Sequence, residues 1–202
     1  MDYKFNHFAE KLEKKFSKNY HLITEDLIRY WYITTIGEFE NAAIERPYRN
    51  HEESLQLLKS TRARADLYYS DTDVVIEFKF HKKLDSSCSC KTDNLGLVVG
   101  DMNRLSLLNC EHKLLIYIFD QEMYGYYQKH KPQLIRKMNC SETFTSQELF
   151  TNLRDRTLDK IALAGFCKGA KNKLSYAIKT IYSATITDRF FLRIYEVKSD
   201  KD

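Results

Sequence analysis

Phe5, Phe8, Leu12 and Phe16 recur every three or four residues among lysines and glutamates, the period of an amphipathic helix over residues 1–20 that lays one apolar stripe on a core. Thr24 stands ahead of Glu25, Asp26 and the run LIRYWYITTI. A side-chain acceptor followed by two acids marks a helix N-terminus, so a second helix extends to about Ile36. In NAAIERPYR, Pro47 biases Arg46 toward extended backbone and removes one ladder donor, which predicts an edge strand. From residue 63 the period shortens to two. ARADLYY and VVIEFKF, separated by the turn-forming SDTD, predict a hairpin. NLGLVVGDMNRLSLL then reads as a helix, HKLLIYIFD as a buried strand, and EMYGYYQKHKPQLIRKM as a helix broken near Pro132. SQELFTNLRDRTLDKIALAGF and KNKLSYAIKTIY predict further helices, and RFFLRIYEV a last strand. No segment repeats. The order implies an α/β domain spanning residues 1–202, with a mixed central sheet flanked by helices. Its core lies at about 24–120, with helical and strand additions at about 121–202.

Composition narrows the class. Of 202 residues, 43% are hydrophobic and 30% charged, with 6 Gly and 2 Pro, the balance of one packed domain rather than a disordered or linker-rich chain. No run approaches the roughly 18 apolar residues of a membrane span, and MDYKFNHFAEKLEKKF lacks a signal peptide's apolar stretch, so neither membrane nor secretion is expected. Cys88, Cys90, Cys110, Cys140 and Cys167 are odd in number and fit no disulfide framework, which suits reduced thiols in the cytoplasm. His81 with Cys88 and Cys90 lacks a fourth ligand at zinc spacing. The net charge of +4 permits a nucleic-acid partner without requiring one. FCKGAKNKLSYAIK is more pointed, because Lys168, Lys171, Lys173 and Lys179 carry no neutralising acid and suit either phosphate contact or a solvated face. Tyr124, Tyr126 and Tyr127 could stack bases, but tyrosines on a helix more often pack a core or its rim.

The chemistry concentrates in VVIEFKF. Side chains alternate faces along a strand, so Val74, Ile76, Phe78 and Phe80 point one way while Val75, Glu77 and Lys79 point the other. If Ser70 faces Asp73, paired numbers sum to 143 and Asp66 lies opposite Glu77, with Cβ atoms about 4.5–5.5 Å apart. A longer loop would set Asp66 opposite Lys79 instead, and a one-residue slip would break the arrangement. Two carboxylates so placed repel unless a cation joins them. Mg²⁺ takes oxygen ligands, using one or two carboxylates with waters and substrate phosphate. That composition fits phosphate-ester hydrolysis, with a lysine beside the attacking water.

Asp66, ten intervening residues, then Glu77-Phe78-Lys79, on consecutive strands after a helix bearing acids, resembles the PD-(D/E)XK nuclease superfamily, the restriction-endonuclease-like fold. The resemblance runs from about Thr24 to Asp120. It implies Mg²⁺-dependent hydrolysis of phosphodiester bonds, with Mn²⁺ able to substitute, in DNA or else RNA. It further implies Asp66 and Glu77 as metal ligands, the Phe78 carbonyl as a further ligand, Lys79 near the attacking water, and Glu25 as the acid from the helix, with Asp26 and Glu38 in reserve. Ala65-Asp66 stands where the family has Pro-Asp. Glu45 on the first strand is a solvated acid or a further contact to the site. Arg104, in Asp-x-x-Arg-Leu, contacts phosphate or pairs with Asp101 at i, i+3. Asp101 with Glu111-His112-Lys113 also fits the bare motif, but Asp101 falls in a predicted helix and Glu111 before a strand rather than within it. A homodimer or partner subunit stays open, as does an alternative in which the chain keeps the fold as an inactive nucleic-acid-binding or scaffold protein. An interaction domain with a decorative Glu77–Lys79 pair is the third reading.

Overall fold

A computed structural model describes residues 4–37, 39–47, 64–82, 91–130, 143–145 and 176–199. Helices α1 (Phe5–Asn19) and α2 (Glu25–Ile36) lead into strands β1 (Ala42–Pro47), β2 (Arg64–Tyr69) and β3 (Val74–His81). Helix α3 (Lys91–Ser106) crosses to β4 (His112–Asp120), followed by α4 (Gln121–His130) and strands β5 (Thr143–Thr145), β6 (Tyr176–Thr187) and β7 (Phe190–Ser199). The strands form one mixed sheet in the order β1-β2-β3-β4-β7-β6-β5, in which β3 and β4 are parallel and every other pair is antiparallel.

Local chemistry sets the boundaries of α2. The Leu27 N–H donates to Thr24 Oγ1 at 3.3 Å, as expected of an N-cap, and Gly37, at φ +80°, ends the helix with its N–H on the Ile33 carbonyl at 2.9 Å. Lys4 Nζ reaches the Ile36 carbonyl at 3.0 Å and ties the start of α1 to the end of α2.

Period-two alternation divides the core between the two faces of the sheet. Ile76 and Phe78 of β3, Leu114, Ile116 and Ile118 of β4, and Phe190, Leu192 and Ile194 of β7 pack against α1 and α2, meeting Phe8, Leu12, Phe16 and Tyr32. Val75, Leu115, Tyr117, Phe119, Tyr195 and Val197 face α3 and α4, meeting Val98, Met102, Leu105, Met123 and Tyr127. The expected split of β3 thus holds. Tyr127 is fully buried and Tyr124 stacks on Phe191 at 4.4 Å, so these tyrosines pack the core. Among the described residues no helix is long and apolar enough to cross a membrane.

Two expectations need correction. The helix predicted over KNKLSYAIKTIY is strand β6 from Tyr176 onward, paired along its length with β7, and β5 adds a strand beyond it. The C-terminal part is also no appendage, because β7 lies beside β4 inside the sheet. The helices predicted over 146–166 lie outside the described residues, as do Glu38, Cys88, Cys90, Lys168, Lys171 and Lys173.

Candidate functional site

The β2–β3 register is the one the hairpin arithmetic requires. Leu67 faces Ile76, Tyr68 faces Val75 and Tyr69 faces Val74, each pair summing to 143, with a turn over Ser70–Asp73. Asp73 adopts φ +46° in this turn, a conformation Asp tolerates better than most residues. Its carboxylate accepts from the Tyr68 hydroxyl at 2.9 Å and from the Glu111 N–H at 2.9 Å, which anchors the turn to the start of β4.

Past Leu67 the ladder stops and side chains take over its hydrogen bonds. The Phe78 N–H donates to Asp66 Oδ2 at 2.7 Å, and the Phe80 N–H donates to Glu25 Oε2 at 3.0 Å. Buried strand donors require partners, and here two carboxylates stand where a neighbouring strand's carbonyls would be. A strand residue's N–H and C=O lie on the same side in such a ladder, so the Phe78 carbonyl also faces the Asp66 side.

Lys79 and Glu77, on the opposite face from Phe78, meet α3. Lys79 Nζ lies 3.1 Å from Asp101 Oδ2 and 3.8 Å from Glu25 Oε1. Arg104 Nη2 lies 3.6 Å from Glu77 Oε2 and also bonds Asp101 Oδ1. The side chains of Glu77 and Asp101 are only 2% and 4% exposed, so these are not solvated surface pairs. On the other flank, the buried Arg29 of α2 donates to Glu45 Oε1 at 2.7 Å, to Asp26 Oδ1 at 2.5 Å and to the Asp66 carbonyl at 3.1 Å. Lys82 Nζ donates to the carbonyls of His21 at 2.6 Å and Ile23 at 2.8 Å, holding the segment that leads into Thr24 and Glu25.

Burial raises the Asp66 carboxyl above its ordinary range, against the Phe78 N–H, Arg29 and Lys79, which favour its charge. Glu25 is raised for the same first reason, opposed chiefly by Lys79. Burial alone would lower the Lys79 ammonium, but Asp101 and Glu25 outweigh it and the net shift is upward. His81, next along this face, is pushed down to about 3 by burial and by Lys79, so it is neutral at pH 7. Its Nδ1 lies 3.1 Å from the Tyr117 hydroxyl, which in turn lies 3.0 Å from that of Tyr127.

Glu25, Asp66, Glu77, Lys79 and Arg104 thus lie at the junction of α2, β2, β3 and α3. Asp26 and Glu45 belong instead to Arg29. Asp101 joins the cluster as the ion partner of both Lys79 and Arg104, whereas Glu111, which completes the competing motif, sits before β4. The signal for Asp101 was its i, i+3 spacing from Arg104. Arg29 stands at the same spacing from Asp26, but its bonds to Glu45 and Asp66, and those of Lys82 to His21 and Ile23, reach partners remote in sequence.

Among the described residues, the four carboxylates Glu25, Asp66, Glu77 and Asp101 share one ammonium and one guanidinium, those of Lys79 and Arg104. Such hard oxygen donors suit a divalent ion in chemistry. Among the described residues, no three His, Cys, Asp or Glu side chains are gathered closely enough to hold a metal ion, so any such ion would take one or two carboxylates and complete its shell from elsewhere. No protein-family model, curated protein or solved structure matches the chain.

Proposed function

We propose that this protein is a metal-dependent nuclease of the PD-(D/E)XK kind, hydrolysing phosphodiester bonds in DNA, with RNA as the alternative substrate, in the cytoplasm. The observation that carries the reading is the 143 register, which sets Asp66 against the Glu77-Phe78-Lys79 strand just where the ladder gives way to carboxylates. Asp66, Glu77 and the Phe78 carbonyl would hold Mg²⁺ or Mn²⁺. When bound, the ion polarises a phosphate oxygen and lowers the pKa of a coordinated water. Asp66 contributes a carboxylate pinned by the Phe78 N–H, and Arg29 fixes the backbone behind it. Lys79 stays protonated because Asp101 and Glu25 stabilise its charge, so it orients the attacking water by donating to it and offsets charge developing on phosphate, and does not serve as a base. Glu25, anchored by the Phe80 N–H, positions Lys79 together with Asp101.

The test is cleavage of plasmid or oligonucleotide with Mg²⁺ or Mn²⁺. Activity is expected in the wild type and its loss in Asp66→Ala and in Lys79→Ala; turnover that survives both substitutions removes this site from the reaction. One observation favours a second reading, a fold that binds nucleic acid or acts as a scaffold without cutting. Glu77, a ligand the reaction needs, is paired with Arg104. Salt-dependent binding without cleavage under any divalent ion would select that reading.

A further inference from the structure

Glu77 is almost completely enclosed, and among the described residues a cation beside it is Arg104, which bridges it to Asp101 on the same helix. Both carboxylates come from elements that cannot readily withdraw, the middle of β3 and the body of α3, whereas Arg104 is a long side chain with 16% of its surface still exposed. A guanidinium here supplies the positive charge Glu77 needs in the interior, and it competes with any other cation for the same oxygen. Arg104 also has an alternative partner of the right chemistry, because a guanidinium binds phosphate oxygens with two parallel N–H donors.

Resting on the proposed nuclease reading, we infer that Arg104 is an exchangeable counter-ion that keeps divalent metal weakly bound at Glu77 until a nucleic-acid phosphate draws the guanidinium away. Metal and nucleic acid then bind cooperatively. Each removes a cost the other would meet, and the coupling is reciprocal. The free protein would carry little metal, and loading would follow substrate engagement.

Mn²⁺ binding to the full chain, read from the electron paramagnetic resonance signal of the free ion, tests this without reference to turnover. Titrations run with and without a phosphorothioate DNA duplex, the duplex alone serving as blank. In the wild type the duplex is expected to tighten Mn²⁺ binding about tenfold, a coupling of about 1.4 kcal/mol. In Arg104→Gln, Mn²⁺ is expected to bind about tenfold tighter than to wild type without the duplex, and the duplex should then change affinity less than twofold. Arg104→Gln binding Mn²⁺ like wild type, or a wild type indifferent to the duplex, overturns the exchange while leaving the metal reading intact. Absence of Mn²⁺ binding by both proteins, with and without duplex, overturns the metal reading and the exchange with it. If Arg104→Gln fails to melt cooperatively, the wild-type coupling and Arg104→Lys decide. The single ammonium of that variant cannot serve both carboxylates, so tighter Mn²⁺ binding than wild type supports the exchange, and unchanged binding with no coupling overturns it.

Discussion

Neutralising Asp101 while keeping its shape tests whether the Lys79–Asp101 pair is an interior interaction. The two groups are 3.1 Å apart, with side chains 18% and 4% exposed. At an effective dielectric of about 20 their gross attraction is about 5 kcal/mol. Desolvation of both groups opposes much of that, so a coupling of about 2–3 kcal/mol is expected, at the upper end of what contacting residues show. The experiment is a double-mutant cycle of Asp101→Asn, Lys79→Met and the double variant, each unfolded in urea at pH 7.5 with EDTA. Each single change breaks the pair, and the losses at Glu25 and Arg104, which bond the same two residues, recur in the double variant and cancel in the cycle. Asp101→Asn alone should lower the melting temperature by several degrees, at about 2–4 °C per kcal/mol for a chain of this size. The Lys79 ammonium is raised, so its contribution is complete below the ordinary lysine value of 10.5 and is lost only as pH rises through the higher folded value. The coupling should therefore be flat between pH 6 and 9. Additivity within about 0.5 kcal/mol would refute the reasoning, because pairs of independent sites behave that way.

Because burial raises Asp66, the folded state holds its proton more tightly than the unfolded chain; that advantage is complete below 3.8 and is lost as pH rises through the folded value. Asp66→Asn mimics the protonated form, so in EDTA it should melt higher than wild type at pH 7.5, with the gap closing toward pH 4, and an equal or lower melting temperature at pH 7.5 contradicts the assignment. Tyr117→Phe removes the hydroxyl between His81 and Tyr127 and leaves two buried groups unpaired, at about 1–3 kcal/mol each, so it should lose more stability in urea than Tyr127→Phe, which strips only the end of the chain. Gly37→Ala meets no atom within 4 Å but forces a Cβ onto φ +80°, so it should cost about 1–2 kcal/mol through the backbone alone, and a neutral result would mean that α2 ends differently.

The sequence made the hairpin legible because its alternation is uninterrupted. Val74, Ile76 and Phe78 against Glu77 and Lys79 decide which face is buried and which gathers the charges, and the turn over Ser70–Asp73 selects the 143 register over the longer loop. Strand β6 was illegible for the complementary reason. Its pairing with β7 shifts register between Thr180 and Tyr182 and again between Thr185 and Thr187, so the buried Tyr176, Ile178 and Thr180 pass into the adjacent half-buried Ile181 and Tyr182. A bulge adds a residue and inverts the alternation, which erases the period-two signal while lysines and alanines mimic a helix. Asp101 was visible as half of a competing motif and as the i, i+3 neighbour of Arg104, but not as a partner of Lys79. Nothing local indicates that a helix residue 22 positions beyond Lys79 returns to it, since that follows from the parallel β3–β4 pairing and the crossover it demands.

Why the end of the β2–β3 ladder should carry this cluster at all is a question of cost. An apolar continuation of β2 past Leu67 would have supplied carbonyls to the Phe78 and Phe80 N–H groups without burying a charge. Instead two carboxylates take those bonds and both are raised by burial, the sign that ionising them in place is unfavourable. Ion pairs this enclosed stabilise a fold less well than apolar packing of the same volume. A decorative pair on a hairpin would keep its charges in solvent, where they cost nothing, whereas Glu77 and Asp101 are sealed beneath Arg104 and Lys79. On the proposed metal-dependent reading, a divalent cation would offset the cost of ionising these carboxylates in place, and an accompanying phosphate would give Arg104 a new partner as Glu77 takes the ion.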